Sequence, residues 1–251
     1  MPSISAVIIA RNEEDKVRRC LDSLKSFAAE IVVVDSGSTD RTAEICREQG
    51  CRVFTREFDG YGSQKQFAVD HAVNDWVLSV DADEVLTPGL QKELAGMSGP
   101  GGLQYDAYSI PFSLVYLGRI MKHSGLGHEM HLRLFNRSKG RFTTTAVHEG
   151  IVCEGTAGKL KNRILHYSYR DISHHLDKIN IYTSQAAEEL TKRGKRYSGF
   201  SAAFKFPLSF FIYYFLKGGI LDGYPGFVWS YLAAFYTTLK IVKTVELQKT
   251  K

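Results

Sequence analysis

Three short apolar runs in the first third of the chain each end in a cluster of acidic and polar residues, and this recurrence limits the available folds more than any other feature. Ile4-Ser-Ala-Val-Ile-Ile-Ala10 runs into Arg11-Asn12-Glu13-Glu14, Ile31-Val-Val-Val34 into Asp35-Ser-Gly-Ser-Thr-Asp40, and Trp76-Val-Leu-Ser-Val80 into Asp81-Ala-Asp-Glu84. Uninterrupted apolar runs rich in β-branched residues are the pattern of strands buried on both faces, which means a parallel sheet. The intervening segments read as helices. Val17, Leu21, Leu24 and Phe27 recur at helical spacing, and a second helix is framed by Asp40 as N-cap and Gly50 just past its end. Residues 52–55 form a further strand, and a helix over 63–73 leads to Trp76. Strands alternating with helices predict a doubly wound, mostly parallel α/β sheet whose ligands bind beyond the strands' carboxyl ends. All three polar clusters fall there.

The third cluster carries the most chemistry. Three carboxylates within four residues repel one another unless a cation or a basic side chain compensates. Oxygen donors of this kind suit Mg²⁺ or Mn²⁺, and magnesium is commonly held by one or two carboxylates together with substrate phosphates. An Asp-x-Asp triplet alone is weak evidence, because chance produces it readily in a chain of this length. Its position at a strand end gives it weight. The glycine fingerprints of dinucleotide sites and of the Walker loop are both missing, so a nucleotide here is to be held by carboxylates and a metal, not by a glycine cradle.

Thr87-Pro88 marks an N-cap followed by proline at the first helical position, starting a helix that runs to about Met97. After Ser98-Gly-Pro-Gly-Gly102 the texture changes. Residues 107–117, 131–135, 146–152 and 164–167 read as antiparallel strands added to the sheet. A helix follows from Asp171 to Lys192 with Leu176, Ile179, Thr183, Ala186 and Leu190 on one face. The charge is uneven: residues 1–100 hold 11 Lys/Arg and 17 Asp/Glu, whereas the remainder holds 21 and 10. A basic second part calls for an anionic partner.

The last segment interleaves Phe200, Phe204, Phe206, Phe210, Phe211, Tyr213, Tyr214 and Phe215 with Lys205 and Lys217. Aromatics beside lysines suit a membrane interface with anionic lipid. The alternative is a helical hairpin packed on the domain or on a second subunit of a homo-oligomer. No run of ~20 uninterrupted apolar residues occurs, since Lys217-Gly-Gly219 breaks the best candidate, so surface attachment is expected in place of a full span. Nucleic acid is not an expected partner, because the aromatics cluster instead of standing singly along a basic groove. The four cysteines show no metal-ligand spacing and read as free thiols of a reducing compartment. No targeting pattern stands at the N-terminus, and a cytoplasmic location is expected.

Taken together, Arg11-Asn12-Glu13, Val34-Asp-Ser-Gly-Ser-Thr-Asp40, Gln64-Lys-Gln66, Asp81-Ala-Asp-Glu84, Arg133-Leu-Phe135, Val147-His-Glu149, Leu165-His-Tyr167 and Leu216-Lys-Gly-Gly-Ile-Leu-Asp-Gly223 occur in an order that covers most of the chain. In these motifs the chain resembles the family 2 nucleotide-sugar glycosyltransferases of GT-A fold, closest to the bacterial branch that builds the lipopolysaccharide inner core. The resemblance implies a catalytic domain over 1–170, with its nucleotide-sugar half in 1–100 and its acceptor half in 101–170, and a helical extension over 171–251. It implies a donor site in which Asp35, with Ser36, binds the base of a nucleoside diphosphate (a UDP-sugar) and Arg11, Asn12 and Glu13 line the ribose. Lys65 is to contact the nucleotide or its phosphates, and Asp81 is to face the ribose. Asp83 is to hold Mg²⁺ or Mn²⁺ with His166 completing the site, Glu149 is to be the general base, and Arg133 and His148 are to meet the acceptor.

The implied reaction is an inverting transfer of a sugar, glucose by analogy, to a lipopolysaccharide core glycolipid at the inner face of the cytoplasmic membrane, where the enzyme sits peripherally. A polyprenyl phosphate or protein acceptor, or a non-catalytic nucleotide-sugar-binding scaffold, are the alternatives. One departure concerns the loop before Arg133, where Gly125 is followed by Leu126-Gly127-His128 in place of the aromatic and proline expected of the family. That loop is expected to face the acceptor.

Overall fold

The structure is a computed structural model that describes residues 3–97, 102–127, 129–143 and 150–249. The chain divides into two compact units, one of residues 1–112 and 129–166 and the other of residues 113–128 and 167–251.

In the first unit the elements follow in the order β1 (Ile4–Ala10), α1 (Glu14–Leu24), β2 (Ala28–Asp35), α2 (Thr42–Glu48), β3 (Arg52–Thr55), α3 (Tyr61–Asp70), β4 (Trp76–Asp81), β5 (Glu84–Leu86) and α4 (Pro88–Met97). β6 (Ala107–Tyr116) and β7 (Arg119–Ile120) come next, followed by β8 (Met130–Asn136), β9 (Gly140–Phe142), β10 (Ile151–Cys153), β11 (Ala157–Lys159) and β12 (Ile164–His166). The last four residues of β6 and all of β7 belong to the second unit.

The sheet order is β3-β2-β1-β4-β8-β6-β12-β5. β1 sits between β2 and β4 and pairs with both in parallel, whereas β8 runs antiparallel to β4 and to β6. Parallel strands feed right-handed crossovers that cover both faces of the sheet, and β1 shows the result. Ile4, Ala6, Ile8 and Ala10 pack on Val17, Cys20, Leu21 and Leu24 of α1 and Leu90 and Leu94 of α4. Val7 packs on the opposite face with Val32, Val34 and Ala68 and Val69 of α3. Each large apolar side chain buried this completely contributes about 1.5–3 kcal/mol.

The second unit is helical. It comprises α5 (Ile172–Lys192), α6 (Gly199–Phe211), a π-helical turn (Ile212–Leu216), a short 3₁₀ turn (Gly219–Asp222) and α7 (Gly223–Lys249). Asp171 caps α5 by accepting a hydrogen bond from the His174 amide, and Ser198 caps α6 through the Ser201 amide. The buried face of α5 is His175, Ile179, Thr183 and Ala187. This corrects the expected stripe, because Leu176 is 40% exposed. The face is chosen by an aromatic cluster of Tyr116, Tyr169 and Trp229, which gathers His175 inward. The hairpin of residues 113–128 is tied to the helices by Asp222, which is almost fully buried and accepts hydrogen bonds from the amides of Lys122 (3.2 Å) and His123 (2.9 Å).

α6 and the turn after it leave Phe200, Phe204, Leu208, Phe211 and Phe215 exposed, 50–81% each. Their spacing of three and four places them on one helical face. Gly199–Leu216, with mean hydropathy 1.2 and 11% of it buried, is long and apolar enough to cross a membrane by length and composition. The break expected at Lys217-Gly-Gly219 is present, with Gly218 at φ +70°.

Candidate functional site

Parallel registry places the two acidic strand ends on either side of β1. Ala10 pairs with Asp35 on β2, and Ile9 pairs with Asp81 on β4. The loops beyond β1 and β2 are laced together by short polar side chains. Asn12 adopts the left-handed conformation, φ +55°, which asparagine tolerates better than most residues. In that conformation its side-chain Oδ1 accepts from the Thr39 backbone amide at 2.8 Å, while its own backbone amide donates to Ser38 Oγ at 3.0 Å. The Glu13 amide donates to Thr42 Oγ1 at 2.8 Å. Asp40, expected as the α2 cap, stands one residue before the cap position, which is Arg41; it accepts from the Thr42 amide at 2.9 Å and also from the Glu14 amide at 3.2 Å, so it serves both loops.

Asp35 is 3% exposed. Its Oδ2 accepts from the amides of Gly37 (3.2 Å) and Ser38 (3.0 Å) and its Oδ1 from Ser38 Oγ (2.5 Å). A carboxylate offers about four acceptor positions, so capacity remains for an outside donor. Ser36 accepts from Nε2 of the fully buried Gln64 at 3.1 Å, which seats α3 against the loop. Arg11 and Asn12 are exposed, and Glu13 is half-buried with Lys16 Nζ 3.2 Å from its carboxylate.

The carboxylates after β4 are sorted by partner. Lys65 is 6% exposed, with Nζ 3.0 Å from Asp81 Oδ1. Arg133 Nη2 lies 3.3 Å from Asp81 Oδ2 and 2.7 Å from Glu84 Oε1. Burial raises the Asp81 carboxyl, but Arg133 and Lys65 overcome it and hold the pKa well below the usual range. Glu84 is 1% exposed, and burial, opposed by Arg133 and aided by Asp81, pushes it up to about 7. Its other oxygen accepts from the Asp81 amide at 2.9 Å, which closes the turn.

Asp83 projects from that turn toward a different partner. β12 pairs antiparallel with β5, with His166 opposite Glu84, and His166 Nε2 lies 3.3 Å from Asp83 Oδ2. Lys16 Nζ lies 3.9 Å from the same oxygen. Burial raises Asp83, yet the imidazole and Lys16 bring its pKa below the ordinary value, while Asp83 lifts His166 against its own burial.

The carboxylate oxygen and imidazole nitrogen, 3.3 Å apart, lie a few tenths of an ångström wider than adjacent corners of an octahedral ion with 2.0–2.1 Å bonds, whose edge is about 2.9 Å. Among the described residues no three His, Cys, Asp or Glu converge on one point. The donor set therefore fits a cation that takes its remaining ligands from water and from a phosphate-bearing ligand.

The structure thus brings Lys65, Asp81 and Arg133 together, and separately Asp83 and His166. Glu149 and His148 lie outside the described residues. Sequence reasoning missed Lys16 and the pairing of Arg133 with both Asp81 and Glu84. Lys16 stands three residues after Glu13 at the start of α1, a spacing that places the two on one helical face. The Arg133 partnership joins residues about fifty positions apart and leaves no local signal.

The glycosyl transferase family 2 matches residues 5–153. An uncharacterized glycosyltransferase of Rickettsia typhi is 34% identical over 98% of this chain and 88% of its own length. The lipopolysaccharide core biosynthesis glycosyltransferase LpsC of Rhizobium meliloti is 32% identical over 96% and 91%. Among solved structures, S. aureus TarS (residues 1–349) aligns over 99% of this chain and 90% of that one, with a TM-score of 0.50 and 15% identity.

Proposed function

Because the chain belongs to glycosyl transferase family 2, we propose that it is an inverting transferase that moves glucose from a UDP-sugar to a lipopolysaccharide core glycolipid. The observation that carries this reading is the Asp83–His166 pair beside a cation-compensated Asp81, at the carboxyl end of β4 where a doubly wound sheet binds its ligands. The likeness to LpsC over nearly the whole of both chains supports the acceptor class.

In this proposal Asp35 takes the base N–H with its remaining acceptor capacity, Ser36 lies beside it, and Arg11, Asn12 and Glu13 line the ribose with Asp81. Asp83 and His166 would hold Mg²⁺ or Mn²⁺, and a bound ion would supply positive charge to stabilise the departing diphosphate. Lys65 adds a fixed positive charge beside the same phosphates. Glu149 accepts the proton of the acceptor hydroxyl, whose oxygen attacks the anomeric carbon from the face opposite the diphosphate. The anomeric C–O bond breaks with its electron pair leaving on the diphosphate, through an oxocarbenium-like state, and the configuration inverts. Arg133 and His148 stand on the acceptor side. Residues 1–100 form the donor half and 101–170 the acceptor half, with 171–251 as the helical extension. The exposed stripe from Phe200 to Phe215 supports peripheral attachment to an anionic membrane on the cytoplasmic side, with its aromatics at headgroup level.

Thermal shift with UDP-glucose, with and without Mn²⁺, tests the donor site. A donor at 100 times its Kd stabilises the fold by about 2.7 kcal/mol, and Asp83→Asn is expected to abolish the metal-dependent part of the shift while the unliganded protein still folds. Equal shifts with and without metal, or a mutant that responds like the parent, would refute the metal role.

A further inference from the structure

Within the second unit, α5, α7 and the loop at Ser124–Leu126 enclose a cavity of ≈ 400 Å³ to which the donor chemistry assigns no role. Three lysines line it, Lys178, Lys217 and Lys240, and no Asp or Glu does. Each ammonium stands over a tyrosine ring, Lys178 5.2 Å from the centroid of Tyr169, Lys217 4.4 Å from Tyr213 and Lys240 5.6 Å from Tyr236. Ring faces compensate a cation only partly. Among the described residues neither Lys217 nor Lys240 has a carboxylate within 4.0 Å. Like charges gathered around one hollow repel one another until an anion enters it.

Ser124, which lines the cavity, is 2% exposed, and its hydroxyl has no hydrogen-bond partner among the described residues. That oxygen is buried against Gly219 and does not open into the hollow, so the lysines carry the case for an anion. Ser124 and Gly125 both have positive φ, +60° and +80°. The bare Cα of Gly125 leaves room for the Lys217 terminus, since a Cβ there would meet Nζ at 3.3 Å. Trp229 and Tyr182 add further aromatic surface, and the lining also includes Leu126, Ile179, Leu232, Ala233 and Thr237.

We propose that this cavity binds the phosphate of a phosphorylated polyol, its lysines meeting the phosphate oxygens and its aromatic walls the polyol body. Lysines act on phosphate as compact point charges, and the volume lies within the range of small-molecule pockets. The phosphate has two sources, a soluble sugar phosphate or the headgroup of a phospholipid. The proposal rests on the second unit alone and stands or falls separately from the donor reading.

Trp229 is one of only two tryptophans, so in the full chain carrying Trp76→Phe its emission reports the cavity. This protein is titrated with glucose 6-phosphate, with neutral glucose, and with phosphatidylglycerol and phosphatidylcholine vesicles. Saturable change with glucose 6-phosphate and none with glucose is expected if the source is soluble. Change with phosphatidylglycerol but not phosphatidylcholine is expected if it is a headgroup. In either case Lys217→Met with Lys240→Met should weaken the response about tenfold or more, as loss of charged hydrogen bonds predicts, and the double arginine variant should restore it. Matching far-UV melting curves show that the variants fold. A response that survives in the double methionine variant, an equal response to glucose, or no response to any phosphate probe would overturn the proposal.

Discussion

Replacing Arg133 by methionine tests whether the charge cluster after β4 holds the first unit together. Lys65, Asp81, Glu84 and Arg133 sum to zero charge, and Arg133, its side chain only 12% exposed, is within 3.3 Å of both carboxylates. Methionine keeps much of the stem's packing but leaves the buried Glu84 without its guanidinium. Breaking a buried pair by removing one member is unfavourable by about 3–5 kcal/mol, because the other charge stays desolvated. Loss of the Arg133 contact with the Phe112 ring, 5.0 Å away, adds about 0.5–1 kcal/mol. Urea unfolding at about pH 9, where Glu84 beside Arg133 is ionised, followed by Trp76 in a Trp229→Phe background, reads this unit alone, and a fall in stability of about 3–5 kcal/mol is expected. Adding Glu84→Gln removes the stranded charge, so the double variant should be more stable than the sum of the two single effects predicts, by about 1–3 kcal/mol. A loss under about 1 kcal/mol in the single variant, or strict additivity in the pair, would show that the cluster is solvated and that this reasoning fails.

Glu149→Gln is expected to lower kcat by about 10²–10⁴-fold with donor affinity unchanged, and retained turnover at saturating donor would move the base elsewhere. Phe200→Ser with Phe204→Ser should weaken co-sedimentation with anionic vesicles, and unchanged binding would show that the exposed stripe is not the contact. His175, whose Nδ1 lies 2.8 Å from the Tyr116 hydroxyl, is held by burial, Lys178 and His174 at about 4 against an ordinary 6.5. The unfolded chain therefore takes up the proton first on acidification. This contribution to stability is complete above about pH 6.5 and shrinks toward pH 4, by about 2–3 kcal/mol between pH 7 and 4.5. His175→Gln should flatten that part of the pH–stability curve, read by urea unfolding at each pH.

The parallel part of the sheet could be read from the sequence because both faces of β1, β2 and β4 are buried, and that requirement writes itself as unbroken apolar runs. α4 starts at Pro88 as expected, because Thr87 and Pro88 act locally. The three-residue strands β5 and β12 carry too few residues for a period to show, yet their pairing sets His166 opposite Glu84 and brings its ring within reach of Asp83. The candidate ligands were visible as residue types, but their partners were not. Lys65 and Asp81 are sixteen positions apart, and Arg133 lies about fifty further on. The orientation of α5 was misread for a related reason. Leucines suggested a face, but the aromatic cluster that includes Tyr116 on a distant strand decides which side turns inward.

The route of the chain between its units bears on how the protein is made. Residues 113–128 leave the first unit in the middle of β6, and β8 then returns to it. Their largest fully buried side chains, Tyr116 and Met121, are 0–1% exposed, and Tyr116 is packed against Tyr169, His175 and Trp229. The amides of Lys122 and His123 are satisfied by Asp222. On the ribosome the hairpin therefore emerges about fifty residues before Tyr169 and His175 and about a hundred before Asp222 and Trp229, the latter some 5–20 s at usual synthesis rates. Until α7 is released, two apolar side chains and two amides stay open to other nascent chains. A fragment ending at residue 166 would keep that condition permanently, so the shortest well-behaved form of this enzyme extends through the last helix.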